Sequence, residues 1–190
     1  MSQAAARRMD ADSFLEWDLQ QPDARHELID GAPVAMTGVR RRHDRIVSNL
    51  ARNLGNQLPD TACAPFTADI AIRIPNGNVR RPNVGVDCGD ADDSLTYSAR
   101  PRLVVEVLSR ATRRLDQTRK LEEYKSIPSL DYILLVEPQS PEAILWSRAA
   151  DRRWTYAGMR GLDAVIDLPA LGIAVGLGEI YRGLSFPTAG

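Results

Sequence analysis

The sequence predicts one α/β domain in which a mixed central β-sheet is flanked by helices and preceded by an N-terminal β-hairpin. Between residues 43 and 58 the apolar side chains recur at three- and four-residue intervals, the pattern of an amphipathic helix. The apolar run 102–108, a helical pattern at 112–126 and a second apolar run at 132–136 together predict a strand–helix–strand unit. The length of 190 residues and the hydrophobic content of 44% suit a single compact core.

The N-terminal part of the chain carries the signals of a short helix and a hairpin. Ser13 and Glu16 stand at capping-box spacing, which predicts that a helix begins there. Two strand-like segments follow at 25–29 and 32–36, and the dipeptide 30–31 between them is Asp-Gly. Because Asp-Gly accepts the positive backbone dihedrals of tight turns, these segments are expected to form a hairpin.

The rest of the chain predicts further strands without a domain boundary. Residues 69–74 alternate between apolar and polar, and a turn at 75–78 leads into a strand at 82–88, with which 69–74 is expected to pair. No repeat or linker interrupts the chain, so residues 1–190 are expected to form one domain, with 1–10 flexible. The remaining predicted elements are a hairpin of 143–146 with 154–156, a strand at 169–175 and a short helix near Glu179.

Composition and charge limit the classes of function. The formal net charge of -1 gives no overall attraction to a polyanion, so nucleic-acid binding would depend on local basic clusters. Cys63 and Cys88 lie far apart without a Cys-x-x-Cys pair, which predicts two reduced thiols and neither a zinc site nor a disulfide. The N-terminus lacks an apolar signal core, and no run reaches the roughly 18 apolar residues of a membrane span. We therefore expect a cytoplasmic protein without a membrane partner.

Glu106 is the most informative residue, because it lies inside the strongly apolar run and an ionised carboxylate there needs a compensating partner. Asn83 falls on a neighbouring strand-like segment, and two strand residues so placed can converge on one cation at oxygen-ligand distance. A divalent cation polarises a phosphate and activates water during phosphodiester hydrolysis. The sequence thus predicts a nuclease metal site at Glu106 and Asn83, with Asp69 as a reserve ligand.

A helix face carries the candidate cation of this site. Asp116, Lys120 and Tyr124 recur every four residues, so they share one face from which Lys120 could reach Glu106. The same spacing could instead give a surface Asp116–Lys120 ion pair worth a few tenths of a kcal/mol. Glu27 could likewise be an ordinary exposed strand residue.

A series of motifs follows one another in a specific order along nearly the whole chain. The motifs are His26-Glu27-Leu28-Ile29-Asp30-Gly31, His43 at the start of a helix, Arg81-Pro82-Asn83-Val84, Val104-Val105-Glu106-Val107-Leu108-Ser109, Asp116-x-x-x-Lys120-x-x-x-Tyr124 and Asp131-Tyr132-Ile133-Leu134-Leu135-Val136. In these motifs and their order the chain resembles a known family, the Uma-two type of bacterial restriction endonucleases, which are relatives of the PD-(D/E)XK nuclease superfamily.

The resemblance implies a restriction-endonuclease-like fold and a role for each site residue. Glu106 looks like the acid of the Glu-x-Lys element, Leu108 stands where its lysine would be, and Lys120 is the migrated substitute. Glu27 resembles the additional acid of such sites, and Asn83 occupies the place of the usual metal-binding Asp. The implied activity is metal-dependent DNA cleavage with Mg²⁺ or Mn²⁺ as cofactor, DNA as partner and a homodimer as the assembly.

Two other functions remain open from the sequence. Because an Asn oxygen coordinates a cation without bringing negative charge, the chain could be a degenerate nuclease that binds nucleic acid as an accessory module. It could also be a non-nucleolytic α/β protein in which a hydrogen-bond network satisfies Glu106. DNA binding is assigned to the pairs Arg80-Arg81 and Arg113-Arg114, with further clusters at Arg40-Arg41-Arg42 with Arg45 and at Arg152-Arg153, although charge runs are commonly solvated surface.

Overall fold

The structure is a computed structural model, and it describes residues 8–58, 62–89, 92–108 and 115–186, with the side chains of 115–117 excepted. Its helices are α1 (Ala11–Asp18), α2 (Arg41–Gln57), α3 (Leu115–Lys125) and α4 (Leu177–Ile180). Its strands are β1 (His26–Ile29), β2 (Ala32–Ala35), β3 (Ala64–Thr67), β4 (Ile72–Arg73), β5 (Val79–Arg80), β6 (Val84–Asp87), β7 (Pro101–Val107), β8 (Tyr132–Glu137), β9 (Glu142–Arg148), β10 (Trp154–Arg160), β11 (Val165–Leu168) and β12 (Ile173–Gly176).

A six-stranded mixed sheet in the order β10-β9-β8-β7-β6-β3 forms the centre of the molecule. Strands β7 and β8 run parallel, and α3 lies between them in sequence, whereas the other neighbours in this sheet pair antiparallel. A parallel pair needs a crossover connection, and α3 supplies it. The predicted strand–helix–strand unit and the mixed central sheet are therefore confirmed.

Apolar residues cover both faces of this sheet. On one face, alternate residues of β6, β7 and β8 such as Val105 and Leu134 pack against α2, the β11–β12 pair and α4. On the other face, Val104 and Ile133 pack with Tyr124 of α3 and with Ile72 of β4. Because side chains alternate along a strand, Glu106 of β7 shares the face of Val104 and lies under α3.

The N-terminal hairpin β1–β2 is confirmed and belongs to a second sheet of order β2-β1-β5-β4. Its turn places Asp30 at φ 51° and Gly31 at φ 80°, the left-handed conformations expected of an Asp-Gly turn. The preceding helix begins earlier than predicted, because Asp10 rather than Ser13 is the N-cap and its side chain accepts the Ser13 N–H. Helix α1 packs Phe14 against this sheet.

The predicted pairing of 69–74 with 82–88 is wrong. The turn after Ile74 is tight, with the Gly77 N–H donating to the Ile74 carbonyl, so β4 pairs at once with β5. The chain then leaves this sheet at Pro82, and β6 pairs with β3 and β7 instead. Two sheets therefore meet where the sequence indicated one hairpin.

The C-terminal part combines confirmed and missed elements. The hairpin β9–β10 and the short helix α4 lie where they were predicted. The expected strand at 169–175 is shorter, because Pro169–Leu171 forms a 3-10 turn and only Ile173–Gly176 is extended. Its antiparallel partner β11 was not predicted.

The prediction of two reduced thiols is also wrong, because Cys63 and Cys88 form a disulfide. The register of β3 with β6 places Ala64 opposite Asp87, so the two flanking cysteines face each other with Cα atoms 4.0 Å apart. The sequence did not show this proximity because β3 was not recognised as a strand. Among the described residues, no helix is long and apolar enough to cross a membrane.

Candidate functional site

Glu106 lies under α3 with its side chain 15% exposed. Its Oε1 accepts a hydrogen bond from Tyr124 Oη at 2.7 Å and lies 3.5 Å from Lys120 Nζ. Burial raises the pKa of the Glu106 carboxyl, and the positive charge of Lys120 opposes that rise. The partner that the sequence required for this buried acid is therefore the Lys120–Tyr124 pair of α3.

Lys120 lies between two carboxylates from different sheets. Its Nζ is 3.0 Å from Glu27 Oε1 on β1 and 3.5 Å from Glu106 Oε1 on β7. Lys120 is only 17% exposed, so its ammonium faces the site rather than open solvent. The expected contact of Lys120 with Glu106 is present. The side chain of Asp116, the alternative partner of Lys120, lies outside the described residues.

Glu27 is a buried residue and not an exposed strand position, being 7% exposed. Its Oε2 accepts from Arg80 Nη1 at 2.9 Å, and its Oε1 accepts from the backbone N–H of Arg81 at 3.1 Å in addition to the contact with Lys120. Both carboxylate oxygens are thus engaged by protein donors.

Asn83 lies immediately before β6, at the register position opposite Glu106, since Val84 pairs with Val105. Its Oδ1 accepts from the backbone N–H of Val107 at 2.7 Å. The imidazole of His43 lies against Asn83 and Val107, and burial lowers the pKa of His43, so the ring is neutral near neutral pH. The structure therefore brings Asn83, Glu106, Lys120 and Glu27 into one site, with His43 beside it.

The oxygen ligands at this site determine whether it can hold Mg²⁺. Within the described residues, no group of three or more His, Cys, Asp or Glu side chains could hold a metal ion. Glu106 and Asn83 offer one carboxylate and one amide with a remaining oxygen lone pair. Mg²⁺ commonly keeps several waters and uses one or two carboxylates together with substrate phosphates, so this pair fits a weakly held magnesium ion. Asp69 is no reserve ligand, because it is exposed and pairs with Arg25.

Arg80 and Arg81 require a correction to the predicted DNA contacts. Arg80 is 0% exposed and Arg81 is 3% exposed, so neither guanidinium is accessible to a phosphate. Arg80 binds Glu27 and Glu123, whereas Arg81 binds Asp18. Pairing with a buried acid compensates part of the cost of removing each guanidinium from water. The second predicted pair, Arg113 and Arg114, lies outside the described residues.

Glu123 is a residue of this site that was not predicted from the sequence. This residue is 6% exposed and accepts from Arg80 Nε at 2.6 Å, from Asn78 Nδ2 at 2.7 Å and from Arg119 Nε at 3.0 Å. The available signal was its spacing, because Glu123 follows Lys120 by three residues and so shares the helix face that carries Lys120 and Tyr124.

The fold places the chain in a known structural class. A crystal structure from Anabaena variabilis ATCC 29413, named as "a putative nuclease belonging to DUF820", has the same fold with a TM-score of 0.70. The match covers 91% of this chain and 97% of that chain at 15% sequence identity. The restriction-endonuclease-like α/β class that the motifs predicted is therefore confirmed at the level of the fold.

The family follows from the sequence match. Residues 11–177 match the Uma2 family, described as "Putative restriction endonuclease", and the chain belongs to this family. It is 32% identical over 181 residues to the "Uncharacterized protein slr1290" of Synechocystis sp., covering 94% of each chain. It is also 26% identical over 168 residues to "Uncharacterized protein sll1609" of the same organism, covering 86% of this chain and 94% of the relative.

Proposed function

We propose that this protein is a metal-dependent DNA endonuclease of the PD-(D/E)XK type. The observation that carries the proposal is the cluster in which Lys120 Nζ lies 3.0 Å from Glu27 and 3.5 Å from Glu106, with Asn83 opposite Glu106 on the next strand. Family membership and the fold of a protein named as a putative nuclease support the same reaction class. Localisation in the cytoplasm and a homodimeric assembly stay predictions.

The chain's own residues have distinct tasks in this proposal. Glu106, with the remaining capacity of its carboxylate, and Asn83, with its amide oxygen, would hold Mg²⁺ or Mn²⁺. The bound ion would supply Lewis-acid polarisation of the phosphate and a more acidic water. Lys120 would orient the attacking water and stabilise negative charge that develops on the phosphate. Tyr124 donates to Glu106 and favours its ionised form.

DNA would approach from the end of β7 that carries Glu106. His43 of α2 lies against Val107 there, so the exposed residues Arg40 and Arg41 at the start of α2 are beside the site. Exposed arginines can neutralise phosphates, which the buried Arg80 and Arg81 cannot do. We therefore reassign the DNA contacts to the cluster Arg40-Arg41.

The test is nicking of supercoiled plasmid by the native chain, Glu106→Ala and Lys120→Ala, each with Mg²⁺, Mn²⁺ or a chelator. Nicking that needs the metal and is lost in both variants is the expected result. Two neighbours on α3 provide matched controls, because Glu122 and Lys125 pair with each other away from Glu106 and their alanine variants should nick normally. Nicking that persists in Glu106→Ala would contradict the assignment.

One observation favours a second candidate function, a degenerate nuclease fold that binds nucleic acid without cutting it. The Asn83 oxygen is already bound to the Val107 N–H at 2.7 Å, and both Glu27 oxygens are bound to cations or N–H groups. Among the described carboxylates of this site, Glu106 then remains for a metal, with its Oε1 already bound by Tyr124. Under this alternative the native chain retains DNA in a filter-binding assay, and only Asn83→Asp nicks it.

A further inference from the structure

We propose that Arg80 is a positioning residue of this site. By bridging Glu123 and Glu27 it directs one Glu27 oxygen at Lys120 and so fixes where the ammonium lies. The importance of Lys120 rests on the function proposed above, whereas the bridge itself is a structural relation that can be tested without any nuclease activity.

The bridge begins on α3. Glu123 Oε2 accepts from Arg80 Nε at 2.6 Å, while its Oε1 accepts from Asn78 Nδ2 at 2.7 Å and from Arg119 Nε at 3.0 Å. Arg119 also forms a two-pronged pair with Asp30 in the β1–β2 turn, at 3.0 Å and 2.5 Å. Glu123 is therefore held rigidly, and it anchors the guanidinium of Arg80.

The bridge continues to β1. Arg80 is 0% exposed, and its Nη1 donates to Glu27 Oε2 at 2.9 Å. That bond orients the carboxylate so that the other oxygen, Oε1, faces Lys120 Nζ at 3.0 Å and the Arg81 N–H at 3.1 Å. A planar guanidinium presents several donors in fixed directions and can hold two carboxylates at once, which an ammonium does less well.

The charges explain why the site needs this bridge. Glu27, Glu106 and Glu123 are three acids in one poorly solvated cluster, and Arg80 with Lys120 supplies the buried positive charge between them. Without Arg80, Glu27 and Glu123 would each lose a buried counter-charge. Glu27 would then turn toward water, and its 3.0 Å contact with Lys120 Nζ would be weakened.

The chain offers a direct probe of Lys120. It contains two lysines, Lys120 and Lys125, and their side chains are each 17% exposed. Competitive acetylation with light and heavy acetic anhydride, read by mass spectrometry of the folded protein, gives the reactivity of Lys120 relative to Lys125. Glu27→Gln defines full release of Lys120 from Glu27, for which we expect about a fivefold rise in that ratio.

Arg80→Gln gives the decisive comparison, because a positioning role and a purely electrostatic role predict different changes in the reactivity of Lys120 relative to Lys125. If Arg80 positions Glu27, the ratio rises by at least half as much as in Glu27→Gln. If Arg80 acts only as a nearby positive charge, its removal stabilises the Lys120 ammonium, and the ratio stays the same or falls. An unchanged or lower ratio would overturn the proposal. This includes the case in which both lysines become more reactive to the same extent.

A second comparison keeps the proposal testable if Arg80→Gln does not fold. Glu123→Gln is isosteric and weakens the anchor of Arg80, so it should raise the ratio in the native background. In the Glu27→Gln background the same change should have no effect, because the bridge already ends at a neutral residue. Equal effects in both backgrounds would show that Glu123 acts independently of Glu27 and would refute the bridge.

The two proposals can fail separately. If the plasmid is not nicked but the acetylation ratios change as expected, the nuclease function is rejected and the bridge from Glu123 through Arg80 to Glu27 stands.

Discussion

Tyr124 and Glu106 show how one hydrogen bond can set the ionisation of a buried acid. The Tyr124 hydroxyl donates to Glu106 at 2.7 Å, and burial keeps the pKa of Tyr124 well above its ordinary value, so the donor stays protonated. Without this bond, the ionised form of Glu106 is less stable, and its pKa rises further.

We therefore predict that Tyr124→Phe moves the acidic limb of the pH–rate profile for plasmid nicking to higher pH. At pH values below the pKa of Glu106 the rate should fall, by up to about tenfold for a rise of one pKa unit, and it should recover at higher pH. Tyr156→Phe is the control, because Tyr156 is 68% exposed on β10. A uniform loss of rate at every pH would show that Tyr124 acts through packing rather than through Glu106.

Glu106 also predicts a dependence of stability on pH. Burial raises its pKa above the ordinary value of 4.5, so the folded protein binds this proton more tightly than the unfolded chain. The resulting stability is complete below pH 4.5 and is lost as the pH rises through the raised pKa. Ionised Glu106 is thus a cost that a neutral residue would not have.

Glu106→Gln should therefore be more stable than the native chain at pH 8, by about 1 kcal/mol, and equally stable at pH 4. Urea unfolding at the two pH values measures the difference. The control is Glu122→Gln on α3, where the carboxylate is 66% exposed and no such gap is expected. A gap of the same size at pH 4 and pH 8 would exclude the ionisation of Glu106 as its cause.

At the residue scale the sequence predicted Glu106, Lys120 and Asn83 correctly as neighbours, because helix spacing and strand order are local information. It could not distinguish Arg80 from a solvated arginine. Whether an arginine is buried depends on how β5 pairs with β1 and on the acids that this pairing brings together. The spacing of Glu123 from Lys120 was visible, but its partner Arg80 lies 43 residues away.

At the element scale, strong periodicity decided which parts could be predicted. The amphipathic pattern of α2 and the apolar runs of β7 and β8 carry their signal within a few residues. In contrast, β3 is four residues long, contains Pro65 and is exposed at both of its ends, so no alternation marks it. Its place at the sheet edge comes from pairing with β6, which is a nonlocal interaction.

The disulfide of Cys63 with Cys88 leads to a prediction about the stability of the reduced protein. It joins the start of β3 to the end of β6 across a separation of 25 residues. Closing a loop of this length should stabilise the fold by about 3 kcal/mol, mainly by restricting the unfolded chain. Reductant should therefore lower the urea midpoint of the native protein but leave that of the Cys63→Ser/Cys88→Ser double variant unchanged. Equal sensitivity of the two proteins to reductant would contradict the prediction.

At the scale of the whole molecule, the sequence was sufficient for the layered α/β arrangement, because amphipathic segments must cover both faces of an apolar sheet. It was insufficient for the separate N-terminal sheet. That sheet depends on β1 pairing with β5 at Leu28 and Val79, far apart in the chain. This nonlocal pair is what brings Glu27 to Lys120.

The distribution of exposed arginines leads to a prediction about DNA retention. Arg40→Ala/Arg41→Ala should weaken binding and reduce the slope of log affinity against log salt by about two. The control is Arg152→Ala/Arg153→Ala, because the registers of β8, β9 and β10 place that turn at the opposite end of the sheet from Glu106. Filter binding across a salt series measures both, and an equal loss in the two variants would indicate nonspecific surface charge.

The nuclease assignment is tested most directly by plasmid nicking with the native chain and Asn83→Asp over a series of Mg²⁺ concentrations. We predict that the native chain nicks DNA only with the metal. Asn83→Asp, which places a negative charge opposite Glu106, should reach its half-maximal rate at a lower Mg²⁺ concentration. If neither protein nicks at any Mg²⁺ or Mn²⁺ concentration while both remain folded, the nuclease assignment is contradicted.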